Sequence, residues 1–555
     1  MTRTGVAAWP EHLAQLYRAR GYWRDRTLGS LPRQWAHSHG DRPALLDGDV
    51  TLTYRQLADR VDVLAAHLIS LGLRGGDNIL VQLPNRHELV LLVLACARIG
   101  VAPVLMLPAH REHEMVAIGR HTEAAAIVTA DSVRGFDHRA LAHRVAREVP
   151  SIGPVIVVGG DDRRSDMSTV DFAALLTGEC DESDHARLAA ATPDPGEVAL
   201  FLLSGGTTGV PKVISRTHND YEYNSRRSAE VCGFGPDTVY LVVLPAAHNF
   251  TLGSPGILGT LMAGGRVVLL PSPSVVPAFE AIAEHGVTHT AAVPAVVRRW
   301  AEAVDELSPR LESLRVLQVG GSLFAPELAR RAREALGCRV QQVFGMAEGL
   351  LNYTRLDEDD DLAARTQGRP ISPDDEIRVV DTDGAEVPPG QEGELLTRGP
   401  YTPRGYFAAP EHNERSFAPG GWYRTGDLVR LDPSGNLVVV GRAKDVINRG
   451  GEKIAAAELE QLIATLPTVA EVAAIPFPDP ELGERICVYV LPRPGHWPAL
   501  SDIEELFAER GVADYKVPER LRVVDVLPYT EVGKVDKKAL CAREAATATE
   551  VRPAG

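Results

Sequence analysis

Short apolar runs alternate with longer helical patterns from about Tyr54 to Val343. A short continuous apolar run bounded by turn residues is typical of a buried strand. The alternation predicts βαβ units, and therefore largely parallel sheets with helices on both faces. The predicted strands are Asn78–Gln82, Ala125–Thr129, Val155–Val158, Val239–Leu244, Arg266–Leu270, Thr288–Ala292, Leu314–Val319 and Arg339–Val343.

The pattern changes after Gly368, where short β-prone runs are separated by turn residues, which predicts a small β-rich subdomain. We place a domain boundary near residues 442–445. The following residues predict a small α+β domain. Its predicted helices are Ala455–Leu466 and Ser501–Arg510, and its predicted strands are Val469–Ile475 and Ile486–Leu491.

The composition narrows the class of protein. A chain of 555 residues is expected to form two or three domains. Its formal charge of −16 argues against a nucleic-acid or anionic-membrane binder. The most apolar stretch, 89–107, is broken by Arg98 and Pro103, which favours a buried helix and strand over a membrane span. Six scattered cysteines without a C-x-x-C pair, and no apolar signal segment, suit a cytoplasmic protein.

A glycine-rich loop, Ser-Gly-Gly-Thr-Thr-Gly-Val-Pro-Lys at 204–212, follows the apolar run 198–203. A strand that leads into such a loop presents backbone N–H groups and hydroxyls to phosphate oxygens. The loop differs from the common NTPase loop because Pro211, rather than glycine, precedes Lys212. A plain turn is the alternative interpretation of the loop by itself.

Further motifs follow in a fixed order: His-Asn-Phe at 248–250, Val-Phe-Gly-Met-Ala-Glu-Gly at 343–349, Tyr-Arg-Thr-Gly-Asp-Leu at 423–428, Gly-Arg-Ala-Lys-Asp at 441–445, and Thr-Glu-Val-Gly-Lys at 530–534. With these motifs the chain resembles the AMP-forming adenylating enzymes. Within that superfamily it is most similar to stand-alone aryl-acid–AMP ligases of siderophore and aryl-capped peptide pathways. The resemblance extends from about Gly21 to Leu540.

The resemblance implies an α/β fold with ATP and Mg²⁺ as cofactors. Residues 1–441 would form a large N-terminal domain of parallel α/β subdomains plus a small β-barrel-like subdomain at about 369–441. Residues 442–555 would form a mobile, small α+β C-terminal domain.

The resemblance also assigns a nucleotide site. The triphosphate would contact Ser204, Gly205, Gly206, Thr207, Thr208, Gly209 and Lys212. The remaining nucleotide contacts would come from Gly320, Gly321, Val343, Phe344, Gly345, Met346, Asp427 and Arg442. Within this set, Phe344 would stack on adenine opposite Gly320 and Gly321, and Asp427 would bind the ribose. Glu348 would hold the magnesium ion.

For each of the two carboxylates in this site, Glu348 and Asp427, a purely structural role is the alternative. Glu348 is also compatible with a helix N-terminus, where the macrodipole favours an acid. Asp427 is also compatible with ordering a Thr-Gly-Asp turn.

The resemblance names three catalytic residues. Lys534 would stabilise the charge that develops as pyrophosphate leaves. His248 completes the catalytic set. Lys444 occupies the hinge position between the adenylation and thioester-forming arrangements of the C-terminal domain, although a solvated loop lysine is the alternative.

The acyl pocket would be formed by Asn249, Phe250, Ser254 and Leu351. Asn249 offers a donor and an acceptor that suit an ortho hydroxyl and the carboxylate. The serine at position 254 resembles the residue found in the 2,3-dihydroxybenzoate enzymes, whereas the leucine at 351 resembles that of the salicylate enzymes. The resemblance therefore leaves open which ring substituents the substrate carries. Gly253 is expected to leave extra room.

The predicted activity is ATP-dependent conversion of a 2-hydroxyaryl acid to aryl-AMP, followed by transfer to the phosphopantetheine thiol of a separate aryl carrier protein. The carrier is expected to be separate because 21 residues follow Lys534. Alternatives are an aryl-CoA ligase that uses free CoA, or activation of 3-hydroxypicolinate or 3-hydroxyanthranilate. A non-catalytic scaffold is disfavoured because Lys534 and Glu348 are both present. Neither a nucleic acid nor a membrane is expected as a partner.

Overall fold

The computed structural model describes residues 4–160, 169–204, 211–321, 324–381, 383–442, 446–528 and 535–550. These residues form four main sheets, three of which belong to the first 442 residues. The predicted α/β fold is confirmed.

The largest sheet has nine strands, and its six central strands run parallel. Each predicted strand of this part is present, with ends shifted by a few residues. The order across the sheet is Arg369–Pro370, Gly349–Tyr353, Arg339–Met346, Val316–Val319, His289–Ala292, Val239–Val242, Arg266–Leu269, Pro43–Asp47 and Val50–Thr53.

A second sheet has seven strands, of which only Lys212–Thr217 runs antiparallel to its neighbour. The order is Lys212–Thr217, Val198–Ser204, Ala102–Leu105, Asn78–Gln82, Ala126–Ala130, Val155–Val158 and Thr169–Asp171. The strand Val198–Ser204 therefore places Ser204, the first residue of the glycine-rich motif, at its carboxyl end, beside the edge strand Lys212–Thr217.

Helices cover both sheets, and one apolar core joins side chains of the two sheets to the helix His87–Arg98. Residues 88–97 of this helix are buried, and the strand Ala102–Leu105 follows, as the apolar stretch predicts. Among the residues described, no helix is long and apolar enough to cross a membrane. The helices up to residue 416 are Glu11–Ala19, Leu31–His39, Tyr54–Ser70, His87–Arg98, Glu112–His121, His138–Glu148, Glu182–Ala190, His218–Val231, Asn249–Gly253, Gly256–Met262, Val275–His285, Pro294–Leu307, Pro326–Leu336, Asp360–Arg365 and Pro410–Ser416.

A small five-stranded antiparallel sheet follows, as the turn-rich pattern after Gly368 predicts. Its strands are Glu376–Val380, Gly393–Arg398, Phe417–Ala418, Trp422–Leu431 and Leu437–Arg442.

The last part of the chain forms its own five-stranded sheet, with helices Ala456–Ile463, Leu500–Glu509 and Lys537–Glu550. Its strands are Val446–Arg449, Glu452–Ala455, Val469–Asp479, Gly483–Pro492 and Arg520–Val523. A separate apolar core supports this sheet. The strand Leu437–Arg442 belongs to the preceding sheet, while the domain boundary itself stays a prediction.

A buried ion-pair group joins this C-terminal part to the rest of the protein. The ammonium of Lys516 lies 2.7 Å from a carboxylate oxygen of Glu458 and 3.2 Å from one of Glu114. Glu114 belongs to the helix Glu112–His121 of the seven-stranded layer, whereas Glu458 and Lys516 belong to the C-terminal part. Burial by itself lowers the pKa of Lys516, but the two carboxylates more than offset this and the pKa is raised, so the ammonium stays charged.

Candidate active site

A cavity of about 290 Å³ lies where strand ends of the N-terminal sheets face the C-terminal sheet. Ligand sites of α/β proteins occupy such positions, beyond the carboxyl ends of parallel strands. Asn448, Glu452 and Lys453 line the cavity from the C-terminal side. The predicted site residues that line it are Ser204, His248, Asn249, Phe250, Ser254, Gly320, Gly321, Val343, Phe344, Gly345, Met346, Glu348, Leu351 and Asp427.

Other predicted site residues lie elsewhere or outside the described part of the chain. Lys212 begins the strand Lys212–Thr217, and its ammonium lies 4.6 Å from the centre of the Tyr406 ring. Arg442 ends the strand Leu437–Arg442, where its backbone is described. Gly205, Gly206, Thr207, Thr208, Gly209, Lys444 and Lys534 lie outside the described residues, so their roles stay predictions.

In the predicted adenine-binding part, the backbone at Gly320 lies close to the backbone at Val343. A Cβ atom on Gly320 would lie 2.7 Å from the carbonyl oxygen of Val343, closer than real contacts allow. Glycine at 320 therefore lets the two segments approach each other. On the neighbouring strand, the Asn352 amide donates to the carbonyl of Phe344 at 3.3 Å and holds the backbone beside the ring.

Glu348 occupies the turn between the antiparallel strands Arg339–Met346 and Gly349–Tyr353. The helix N-terminus considered as an alternative is therefore wrong, because the residue joins two strands. The Tyr406 hydroxyl donates to one carboxylate oxygen of Glu348 at 2.8 Å and lies 3.1 Å from the Tyr423 hydroxyl. Burial and Glu348 raise the pKa of Tyr406, so this hydroxyl remains a proton donor.

Asp427 lies within the strand Trp422–Leu431 and is buried at the cavity wall. The turn considered as an alternative is wrong, because Asp427 pairs in register with Arg442 on the next strand. The sheet thereby brings Asp427, the predicted ribose contact, opposite the backbone of Arg442, another predicted nucleotide contact, although the two are separated along the sequence.

The predicted aryl pocket is supported by a hydrogen-bond chain. The Tyr221 hydroxyl donates to Oδ1 of Asn249 at 2.9 Å, and Nδ2 of Asn249 donates to Oγ of Ser254 at 3.3 Å. All three side chains are buried. The expectation that Gly253 leaves extra room for a ligand is wrong. A Cβ there would lie 2.7 Å from the Tyr221 hydroxyl oxygen, so the tyrosine fills that space.

Leu351 is buried beside the same pocket. Its backbone N–H donates to the Tyr401 hydroxyl at 3.1 Å, and that hydroxyl donates to Asp375 at 2.5 Å. Burial raises the pKa of Asp375 to about 7. This buried chain anchors the backbone that carries Leu351 to the small sheet.

His248 begins the short helix Asn249–Gly253, where its Nδ1 accepts from the N–H of Phe250 at 3.4 Å. His248 is an exposed residue on the wall of the cavity. Partial desolvation by the surrounding protein atoms and the nearby Lys453 ammonium lower the pKa of His248. His248 is therefore neutral at pH 7 and can act as a hydrogen-bond partner rather than as a cation.

Sequence reasoning missed several residues that shape this site, notably Arg216, Tyr221, Tyr406 and Lys516. Arg216 and Tyr221 belong to a polar run, Arg-Thr-His-Asn-Asp-Tyr at 216–221. That run is almost entirely buried, contrary to the usual exposure of such residues. The run overlaps the end of the strand Lys212–Thr217, which the sequence analysis did not predict, and its burial depends on contacts with distant segments.

Two family models match the chain. One, described as AMP-binding enzyme, matches residues 32–407, and the other, AMP-binding enzyme C-terminal domain, matches residues 458–534. The chain is 57% identical to a Streptomyces sp protein named salicylyl-CoA synthase / salicylate adenylyltransferase, covering 97% of this chain and 98% of that protein. It is 47% identical to the 2,3-dihydroxybenzoate-AMP ligase of Bacillus subtilis (strain 168), covering 97% of each. Among solved structures it is similar to apo MbtA of Mycobacterium smegmatis, with a TM-score of 0.73, 45% identity, and coverage of 97% of this chain and 99% of that one.

Proposed function

The chain belongs to the AMP-binding enzyme family, and on this basis we propose that it activates a 2-hydroxyaryl carboxylic acid of the salicylate or 2,3-dihydroxybenzoate type. It is an AMP-forming ligase. The observation that carries the substrate class is the Asn249–Ser254 pair in the same cavity as Glu348.

The chemistry follows from the poor electrophilicity of a carboxylate. A carboxylate oxygen of the aryl acid attacks the α-phosphorus of ATP, and the bond from that phosphorus to the pyrophosphate oxygen breaks. The product is a mixed anhydride from which AMP is a good leaving group. A thiol then attacks the carbonyl carbon, forms the thioester and releases AMP.

The residues of the cavity would divide this work by position. Asp427 would accept hydrogen bonds from the ribose hydroxyls, and Phe344 would pack on adenine. The loop from Ser204 to Lys212 would contact the phosphates, and Lys534 would stabilise the charge on the leaving pyrophosphate. Neutral His248 lines the same cavity as the predicted nucleotide and aryl-pocket residues.

Glu348 fits a magnesium ligand. Mg²⁺ takes few protein carboxylates and fills its remaining positions with phosphate oxygens and water. Glu348 lies on the cavity wall, and the Tyr406 hydrogen bond engages one of its two oxygens. When bound, magnesium would neutralise phosphate charge, while Tyr406 orients the carboxylate.

We propose the phosphopantetheine thiol of a separate aryl carrier protein as the acceptor. Support comes from the similarity to the Mycobacterium tuberculosis protein named salicyl-AMP ligase / salicyl-S-ArCP synthetase, at 45% identity. Free CoA is the second candidate, favoured by the name of the Streptomyces relative. Parallel assays of aryl transfer to CoA and to a pantetheinylated carrier distinguish the two.

ATP–pyrophosphate exchange tests the activation step. The acids to compare are salicylate, 2,3-dihydroxybenzoate, 3-hydroxypicolinate, 3-hydroxyanthranilate and benzoate. Salicylate or 2,3-dihydroxybenzoate should be activated best, and benzoate about tenfold less efficiently or worse, because its ring leaves pocket polar groups unpaired. A preference for benzoate or a fatty acid would refute the proposed substrate class.

The role of Lys534 is tested by separating the half-reactions. Lys534→Ala should lower adenylation by a factor on the order of 10²–10³, the scale for losing one preorganised charge. Transfer from preformed aryl-AMP should fall much less. The exposed neighbour Lys538 provides the control, since Lys538→Ala should change neither step. Equal losses in both steps for Lys534→Ala would contradict the assignment.

A further inference from the structure

The side-chain amide of Asn249 is held in one orientation by Tyr221, which comes from a different helix, His218–Val231. Burial raises the pKa of Tyr221, so its hydroxyl keeps its single proton and donates it to Oδ1 of Asn249. The amide nitrogen therefore faces the other way, where one N–H donates to Ser254. An amide nitrogen carries two N–H groups, so a second donor remains for the cavity that Asn249 lines.

The tyrosine itself is fixed from two sides. The guanidinium of Arg216 lies 4.8 Å from the centre of the Tyr221 ring, and the hydroxyl end fits against Gly253, where any Cβ would collide with it. Arg216 is fully buried and donates to Asp220 at 2.8 Å. A guanidinium has no acceptor, so it cannot take the Tyr221 proton away from Asn249.

Arg216 ties this arrangement to the backbone of the site. It donates to the carbonyl of Ala347 at 3.0 Å, immediately before Glu348, and to the amide oxygen of Asn224 at 3.4 Å. Asn224 in turn donates to the carbonyl of Gly253 at 2.6 Å. The ring and the segment it packs against are therefore held by the same buried network, which leaves Tyr221 little freedom to release Asn249.

We propose that Tyr221 is a positioning residue that sets the polarity of the aryl pocket: it orients the Asn249 amide so that the pocket offers an N–H donor, and so selects acids with an ortho hydroxyl over acids with an ortho amino group. The inference rests on the proposed function and adds the reason for its specificity. Tyr221 acts through Asn249 and does not touch the reacting atoms.

The selection follows from the substituents themselves. In a 2-hydroxyaryl carboxylate the phenol proton is donated to the neighbouring carboxylate, which leaves lone pairs on the phenol oxygen free to accept. In a 2-aminoaryl acid the nitrogen lone pair is delocalised into the ring, so the amino group is a poor acceptor and presents N–H groups. If the N–H of Asn249 faces an amino N–H of the substrate, neither donor has a hydrogen-bond acceptor. Burying two unpaired donors costs binding free energy.

The test compares kcat/KM in ATP–pyrophosphate exchange for salicylate, anthranilate and benzoate. In Tyr221→Phe the amide can rotate, so the preference for salicylate over benzoate should fall about tenfold through a higher KM for salicylate, while benzoate itself changes little. Tyr240→Phe is the control. Tyr240 is equally buried, and its hydroxyl has no partner among the described residues, so this variant should keep the wild-type preference.

A second variant tests the polarity directly. In Asn249→Asp the Tyr221 hydroxyl still donates to one oxygen, and the other becomes an acceptor facing the cavity. Salicylate activation should fall by about tenfold or more, while the ratio of anthranilate to salicylate should rise by about tenfold or more. Circular dichroism of each variant confirms that it folds.

The outcomes separate the two proposals. If the wild-type enzyme activates no ortho-hydroxy acid, the proposed function fails. If it prefers salicylate but Tyr221→Phe leaves the salicylate-to-benzoate ratio unchanged, or lowers both acids equally, the positioning role of Tyr221 is refuted while the function stands. An Asn249→Asp enzyme that still rejects anthranilate would refute the polarity argument.

Discussion

Replacing Lys516 by methionine should release the C-terminal domain from the position it occupies in this structure. The Lys516 side chain is 4% exposed, and the side chains of Glu114 and Glu458 are 0% and 6% exposed. Removing one partner of a buried ion pair costs about 3–5 kcal/mol, because the remaining charges stay desolvated without compensation. Here a single substitution strands two carboxylates, one on each side of the domain contact, so the loss should lie at the upper end of that range.

The loss of stability that an experiment measures depends on whether the two domains stay in contact or separate. If the domains separate, Glu114 and Glu458 regain water, and the loss is limited to the free energy of the domain contact. Hydrogen–deuterium exchange should then accelerate in peptides covering 111–121 and 511–517, with the strands of both large sheets unaffected. The overall reaction should also slow, because the C-terminal residues Asn448 and Lys453 line the cavity in the arrangement that Lys516 stabilises.

Two further variants serve as controls for Lys516→Met. Arg144→Met removes an ion pair of 2.7 Å to Glu112 on the same helix as Glu114, but its side chains are 42% and 38% exposed, so the loss should stay below about 1 kcal/mol. Lys516→Arg keeps the charge and should recover part of the protection. If Lys516→Met changed exchange and urea unfolding no more than Arg144→Met does, the argument that this buried group holds the domains together would be refuted.

Three further outcomes follow from the site. Glu348→Gln should shift pyrophosphate exchange to a higher magnesium requirement, and a magnesium titration matching wild type would exclude the metal assignment. Asp427→Ala should weaken ATP and aryl-AMP to a similar extent, on the order of 10–100-fold for lost charge-assisted hydrogen bonds, as measured by calorimetry; a loss confined to one ligand would contradict a ribose contact. The folded-state pKa of Asp375 is about 7, above its ordinary value, so its contribution to stability is present in acid and is lost as pH rises toward and through 7. Asp375→Asn should remove that dependence, which is worth up to roughly 4 kcal/mol at about 1.4 kcal/mol per pKa unit; identical pH profiles of the unfolding free energy would disprove it.

Much of the fold could be predicted because it depends on local patterns. The strands Asn78–Gln82 and Val155–Val158 have the predicted bounds, since buried parallel strands are short apolar runs between turn residues. Strand ends were less predictable where pairing extends them. The strand Arg339–Met346 continues three residues beyond Val343, because residues 344–346 pair with the antiparallel strand Gly349–Tyr353.

Many residues of the candidate site could also be predicted from the sequence. The motif residues of the nucleotide and aryl parts come from segments far apart in sequence, and the structure brings most of them to one cavity. The secondary structure at Glu348 and Asp427 could not be predicted from the neighbouring sequence, because an acidic residue beside glycine is compatible with a helix start, a turn or a strand. Sheet pairing decided both cases.

The sequence by itself determined the order of elements, the change from α/β to β-rich structure, and the segments that carry the chemistry, because residue spacing and glycine placement are local properties of the chain. Only the tertiary structure decided which polar groups are buried and what they face. Tyr221 meets Asn249, and Lys516 meets Glu114, across long sequence separations. The free energy of a buried polar group depends on its partners and on the exclusion of water, and both arise only when distant segments pack together.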